Sequence, residues 1–143
     1  MSQPTISALA TAVPDNKIEQ AEALRFLEHQ LSLSERDKRV LRFLYQGTKI
    51  ESRYSVLPDF SDTSLKVPFF NPDAPPTTAQ RMQMYERHAL PLASTAIQKL
   101  ELSKKRLKTI THLITVSCTG MYAPGLDIEL VNEIGLSSDV ART

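Results

Sequence analysis

Hydrophobic positions recur along the first third of the chain with two different periods, which predict strands and helices in alternation. Residues 5–13 (TISALATAV) are small and β-branched and end at a Pro-Asp-Asn turn, so they predict a buried strand. Residues 17–31 carry apolar side chains at helical spacing and predict a helix. Residues 32–50 predict a second helix, because Ser34 can cap it with Asp37 three residues on.

The middle of the chain predicts a strand, a loop and a long helix. Residues 52–57 (SRYSVL) are typical of a short strand, and the proline-rich residues 58–76 predict an irregular loop. Thr77 or Thr78 can cap the long helix that follows. We expect Pro91 to kink that helix, because proline lacks the N–H that the preceding turn requires.

The last forty residues predict a turn, a strand and a final helix. Residues 103–108 (SKKRLK) indicate a basic turn, and residues 109–118 (TITHLITVSC) a buried strand. Residues 125–136 predict a helix with Gly135 at its C-terminal cap. The order β-α-α-β-loop-α-β-α indicates an α/β layered fold. Residues 137–143 (SSDVART) are typical of an approach to a further strand, so we expect the 143 residues to be part of a larger fold.

Composition narrows the class of protein. A hydrophobic content of 41% and a charged content of 23% are those of a soluble globular protein. The net charge of +1 provides no general attraction for nucleic acid, so an anion would need a local basic cluster. No segment approaches the roughly 20 apolar residues that span a bilayer. The single cysteine favours a reduced, cytoplasmic setting, and neither it nor the three histidines have the spacing of a metal site.

A basic stripe on the second predicted helix is the first candidate site. At 100° per residue its four cations lie within roughly 100° of arc, opposite a cluster of apolar side chains. Such a stripe suits a phosphate-bearing ligand, although an ordinary solvated helix face has the same pattern. The four residues are Lys38, Arg39, Arg42 and Lys49, of which Lys49 lies beyond Gly47 and so outside the helix if Gly47 ends it.

Cys118 is the second candidate. A catalytic thiol needs a helix N-terminus or a nearby cation to lower its pKa. The next predicted helix starts near Gly125, several residues away, and a lone cysteine is usually a small hydrophobic residue. Spacing therefore favours a pocket or core position for Cys118 over a nucleophile.

The stretch ITHLITVSCTGMYAPGLDIELVNEIGLSSDVAR (residues 110–142) resembles the type III polyketide synthases, the chalcone synthase-like enzymes, and most of all their bacterial branch. The resemblance lies in C-T-G-x-x-x-P-G followed by D-x-x-L-x-x-x-I-G-L. It extends back through TTAQRMQMYERHALPLA, IESRYSVLPDF and ISALATAVPDNKIEQ, and so covers nearly the whole chain.

This resemblance implies a thiolase-like fold, a homodimer, and acyltransfer with coenzyme A thioesters as substrates rather than with a permanently bound cofactor or a metal. An acyl-CoA starter would load a cysteine, and malonyl-CoA would extend it by decarboxylative condensation. The family's nucleophilic cysteine, histidine and asparagine would all lie beyond Thr143. Residues 1–143 would then be the N-terminal part of the domain, cut before the nucleophile strand and inactive alone.

The resemblance also assigns roles to the candidate residues. Cys118 and Thr119 correspond to positions that line the acyl and polyketide cavity, and Ala123 to a loop position that reaches the partner subunit's cavity. Arg39 and Arg42 resemble a K-x-x-R helix at the coenzyme A entrance. The third basic position of that helix falls near Gln46, which leaves Lys38 or Lys49 as substitutes.

Two alternatives stay open at this point. One is a ketoacyl synthase III-like condensing enzyme of the same fold, which would use acyl carrier protein. The other is a non-catalytic fragment that dimerises or packs against a missing second half. The long helix that precedes ITHLITVSCTG favours the polyketide synthases over the first alternative.

Overall fold

The computed structural model describes residues 3–60 and 69–143, and the chain divides into two compact units. One unit is Val13–Thr77, and the other joins Thr78–Thr143 to the stretch that ends at Ala12. Each unit combines a two-stranded sheet with helices, which agrees with the α/β class expected from the sequence.

The Val13–Thr77 unit is built on an antiparallel strand pair, in which Ile18 lies opposite Arg53. Ile18 is 2% exposed, so this strand directs one side chain into the core while its neighbours face outward. Both helices of the unit are stabilised by caps at their N-termini. Glu22 forms a capping box with Glu19, and Ser34 Oγ accepts from the Asp37 N–H at 3.2 Å. The elements are β1 Asn16–Glu19, α1 Gln20–Gln30, α2 Glu35–Gly47, β2 Ser52–Ser55 and the 3₁₀ turn Pro58–Phe60.

A buried glutamine joins three of these elements. Gln20 begins α1, and its Nε2 donates to Thr48 Oγ1, just past the end of α2, at 3.3 Å. Its Oε1 accepts from Arg53 Nε on β2 at 2.7 Å, and its backbone N–H donates to the Glu51 carbonyl at 2.9 Å. Because each of these polar groups has a partner, the burial of Gln20 fixes the C-terminal end of α2 against α1 and β2.

The Thr78–Thr143 unit packs α3 (Thr78–Gln98) against α5 (Leu126–Ile134) beside a short parallel strand pair. Leu130 on α5 is 3% exposed, and Leu136 and Val140 complete the buried apolar group. Gly135 ends α5 with φ 69°, in the left-handed region that glycine adopts without strain, as predicted. The elements are α3 Thr78–Gln98, α4 Lys104–Leu107, β3 His112–Leu113, α5 Leu126–Ile134 and β4 Ala141–Arg142.

Two of the predicted elements are wrong. Residues 5–13 are irregular, with Ile6 89% and Leu9 86% exposed, because no described strand pairs with them. The buried strand predicted at residues 109–118 is limited to β3, followed by one backbone bond from the Thr115 N–H to the Thr143 carbonyl just past β4; beyond it Val116 is 92% exposed. The basic turn at residues 103–108 has exposed cations, as predicted, and it contains one helical turn, which Ser103 caps by accepting from the Arg106 N–H.

The remaining predicted elements are confirmed within the described residues, except that residues 17–19, predicted as the start of a helix, belong to strand β1. The long helix begins at Thr78 and runs through Pro91, and its kink stays a prediction. The predicted loop at residues 58–76 is described only in part, because residues 61–68 lie outside the described chain. Among the described helices, none has the length and apolar character needed to cross a membrane.

Candidate functional site

Helix α2 brings three of the four predicted cations together. Lys38, Arg39 and Arg42 all lie on it, and both arginines are exposed. Lys49 does not share the helix, which ends at Gly47, and it has a left-handed backbone conformation with φ 54°. The basic stripe is therefore reduced to three residues, and Lys49 lies outside it.

Two of the three cations form ion pairs with carboxylates. Lys38 Nζ lies 2.9 Å from Glu35 Oε1, and Arg42 Nε lies 2.6 Å from Glu28 Oε1 on α1. The Lys38 ammonium lowers the pKa of the Glu35 carboxyl, first through their hydrogen bond and then through its charge. Arg39 makes no ion pair with any residue in the described ranges 3–60 and 69–143. An anion at this helix would thus meet Arg39 directly, whereas it would compete with Glu28 for Arg42.

The opposite face of α2 is apolar and exposed. Phe43 is 75% exposed, and Leu44 and Val40 are each more than half exposed. Helix α2 buries none of its residues. The sequence pattern predicted this apolar cluster correctly, but none of the described residues of the Val13–Thr77 unit covers it.

Cys118, Thr119 and Ala123 lie on one exposed loop, the segment between β3 and α5, in the other unit. All three side chains are exposed. Ser117 Oγ accepts from the Gly120 N–H at 3.0 Å and closes a tight turn at the tip of this loop. The placement of Cys118 on an accessible loop differs from the core position that was one of its two sequence interpretations.

Sequence reasoning missed the residues that hold this loop. The ring of Tyr122 packs against Tyr85 on α3, with centroids 5.9 Å apart and planes at 66°. The Tyr122 hydroxyl donates to Glu129 Oε2 on α5. A Cβ at Gly120 would lie 2.4 Å from Tyr85 Cδ2, so only glycine allows this approach. The seven-residue spacing from Tyr122 to Glu129 carries no recognisable motif, so only the fold shows the contact.

The environment of Tyr122 keeps its phenol protonated. Burial raises its pKa, and the hydrogen bond and charge of Glu129 raise it further, with smaller contributions from Tyr85 and Glu86. A protonated phenol remains a donor to the carboxylate throughout the neutral range. In the same unit, Arg142 Nη1 on β4 forms an ion pair with Asp127 Oδ2 in the first turn of α5, at 2.9 Å.

A family model described as chalcone and stilbene synthases, N-terminal domain, matches residues 1–143. Among curated proteins, the alpha-pyrone synthesis polyketide synthase-like Pks18 of Mycobacterium tuberculosis is 30% identical over 145 residues, which cover 96% of this chain and 34% of Pks18. Type III polyketide synthase C of Arabidopsis thaliana is 29% identical, covering 96% of this chain and 36% of that protein.

Solved structures of the same class have a similar fold. The PKS-I structure from the brown alga Ectocarpus siliculosus aligns with a TM-score of 0.74 and 33% identity, covering 96% of this chain and 38% of that one. The 1,3,6,8-tetrahydroxynaphthalene synthase of Streptomyces coelicolor, a bacterial type III enzyme, aligns with a TM-score of 0.69 and 26% identity, covering 94% and 37%. The chain therefore spans about a third of the length of the relatives that it matches.

Proposed function

Since this chain belongs to the type III polyketide synthases, with the thiolase-like fold of their N-terminal domain, we propose that it serves a decarboxylative condensing enzyme that uses an acyl-CoA starter and malonyl-CoA. In that reaction, a cysteine thiol beyond Thr143 takes the acyl group from coenzyme A and releases the free thiol of CoA. Malonyl-CoA then loses CO₂, and the resulting carbanion attacks the acyl thioester and expels the cysteine thiolate. Residues 1–143 would contribute substrate-binding surfaces to this enzyme and not its nucleophile.

Helix α2 is the proposed site for the phosphates of coenzyme A. The observation that carries this assignment is Arg39, an exposed guanidinium without a carboxylate partner in the described chain, on the same helix as Lys38 and Arg42. Guanidinium groups bind phosphate oxygens through charge-assisted, often bidentate hydrogen bonds. Lys49 is excluded from the helix itself but follows it by two residues, so it stays a secondary candidate.

The loop that carries Cys118 and Thr119 is the proposed wall of the acyl cavity. The side chains of Cys118 and Thr119 are exposed in this chain and would face a cavity completed by further residues of the enzyme. Ala123 on the same loop is the position proposed to reach a partner subunit in a homodimer. A cytoplasmic location belongs to the same proposal.

Calorimetric titration tests the coenzyme A assignment on the enzyme that includes this chain and the family's C-terminal part. The double variant Arg39→Ala/Arg42→Ala should bind CoA at least about tenfold more weakly, because each charge-assisted bond contributes roughly 1.5–3 kcal/mol when desolvated and less at an open rim. Pantetheine, which has no phosphate, should bind the variant and the wild type equally. The control is Arg25→Ala on α1, an exposed arginine 3.9 Å from Glu22.

Three outcomes would oppose this assignment. Unchanged CoA affinity in the double variant would make the stripe an ordinary solvated face. An equal loss for CoA and pantetheine would indicate damage to the fold in place of lost phosphate contacts. Binding of an acyl carrier protein with no binding of free CoA esters would favour the ketoacyl synthase III-like alternative.

A further inference from the structure

The exposed loop between β3 and α5 is held at its base by a phenol. Residues 114–121 include the highly exposed Ile114, Val116 and Met121, and the described chain gives them little cover. Tyr122, in contrast, is half-buried, and its ring and hydroxyl contact two different helices. The loop thus has one well-anchored side chain, and that side chain directly precedes Ala123.

The anchor reaches two helices that already pack on each other. Tyr85 belongs to α3 and Glu129 to α5, and these two helices form the main helix pair of their unit. Tyr122 stacks its ring edge-to-face with Tyr85 and donates its hydroxyl to Glu129. A contact to two mutually packed helices restricts both the position and the rotation of the side chain, and therefore of the main chain that carries it.

The hydrogen bond has the character needed for a lasting anchor. A hydrogen bond from a hydroxyl to a carboxylate is stronger than one between two neutral groups, and partial burial reduces competition from water. The charged and titratable groups that face Tyr122 are Glu129, Tyr85 and Glu86, all of which disfavour its ionisation. The phenol therefore remains a donor over the whole range in which an enzyme would be assayed.

We propose that Tyr122 is a positioning residue, whose hydrogen bond to Glu129 fixes the loop that carries Cys118, Thr119 and Ala123 and so sets the length of the polyketide that this enzyme releases. This inference rests on the proposed function, because it takes those three residues to line the acyl cavity. Tyr122 itself contacts helix α5 and Tyr85, and it acts through its neighbours on the loop.

The first test needs no catalysis and uses hydrogen exchange on the chain. In Tyr122→Phe the ring contact with Tyr85 is kept and the hydroxyl is lost, so the Gly120 amide should exchange roughly tenfold faster or more. Glu129→Gln keeps an oxygen acceptor and should give a smaller increase. Tyr54→Phe is the matched control, because Tyr54 lies on β2 in the other unit, and it should leave exchange in the loop unchanged.

The second test measures product length in the enzyme that includes the family's C-terminal part. Tyr122→Phe should shift the ratio of shorter to longer products by more than about twofold, while malonyl-CoA decarboxylation changes by less than about twofold. Glu129→Gln should shift the ratio in the same direction by a smaller amount. This graded effect separates positioning from a general loss of structure, which would lower both activities together.

The outcomes distinguish the two proposals. Faster loop exchange with an unchanged product ratio would overturn the link between Tyr122 and product length and leave the condensing function intact. Unchanged exchange in both variants would overturn the anchor itself. A wild-type enzyme that condenses no acyl-CoA with malonyl-CoA would overturn the proposed function, and with it the product-length inference, while the exchange result would still stand.

Discussion

The close approach of Gly120 to Tyr85 gives a sharp prediction for Gly120→Ala. A Cβ at this position would lie 2.4 Å from Tyr85 Cδ2 and 2.5 Å from both Cε2 and Cγ. Carbon atoms pack best at about 3.5–4.0 Å, so the ring would have to move by roughly 1 Å. Because Cγ is the root of the ring, rotation of the ring about its own axis cannot relieve the clash, and the whole side chain must shift away from residue 120, which disturbs its contact with Tyr122.

The expected cost of Gly120→Ala follows from those contacts. Overpacking of this kind costs about 1–3 kcal/mol, to which weakening of the Tyr85–Tyr122 ring pair contributes about 0.5–1.5 kcal/mol. We expect the free energy of unfolding to fall by about 2 kcal/mol, which lowers the urea midpoint by about 1 M. Gly120 has no positive φ, so the backbone itself contributes no strain to this estimate.

Urea unfolding followed by near-ultraviolet circular dichroism measures this change, because the chain has four tyrosines and no tryptophan. Hydrogen exchange should confirm that the lost protection lies in the Thr78–Thr143 unit. Gly47→Ala is the control: nothing lies within 4 Å of a Cβ there, and alanine is the better helix former, so this variant should be neutral or up to about 1 kcal/mol more stable.

A double-mutant cycle decides whether the contact is the cause. In a Tyr85→Ala background, Gly120→Ala should cost less than about 0.5 kcal/mol, because the clashing ring is gone. If Gly120→Ala is as stable as the wild type, or if its cost persists without the Tyr85 ring, the close approach of loop and helix is refuted.

Four further predictions follow from the same contacts. Glu28→Gln should lower the KM for CoA esters about two- to fivefold, because it frees Arg42, and a rise in KM would contradict this. Cys118→Ser should retain malonyl-CoA decarboxylation but change the products; loss of acyl-enzyme formation in the folded variant would make the thiol the nucleophile. Ala123→Arg should weaken the dimer and lower activity together in ultracentrifugation and turnover assays, because a symmetric contact opposes the new charge to its own copy, whereas an unchanged, active dimer would remove the loop from the interface. Because the pKa of Tyr122 is raised in the folded chain, the phenol contributes fully to stability below about pH 10, and this contribution is lost as the pH rises further and the unfolded chain ionises. The stability difference between wild type and Tyr122→Phe should therefore shrink only above about pH 10. A difference that stays constant there would argue against a protonated, partly buried phenol.

The elements that could be predicted from the sequence are those whose signals are local. Ser34 and Asp37 cap α2 as their spacing indicated, and Gly135 ends α5 in the left-handed conformation that its position required. Residues 5–13 and 114–118 have equally clear apolar patterns, but a strand exists only where another strand satisfies its backbone. Apolar content predicted that these residues favour a sheet, and it carried no information on which partner strand they need.

The candidate sites divide in the same way. The cationic stripe on α2 follows from a 100° rotation per residue, but the pairing of Arg42 with Glu28 joins two helices whose relative placement depends on the buried Gln20. The resemblance located the loop that carries Cys118, whereas its anchor depends on Tyr85, on a helix far earlier in the chain. A substitution at Glu129 would leave every motif of that loop unchanged and still remove the acceptor for Tyr122. Related chains with the same C-T-G motif should therefore differ in how well this loop is ordered. The difference should follow the hydrogen-bond acceptor that each chain carries on the helix corresponding to α5, and not the motif.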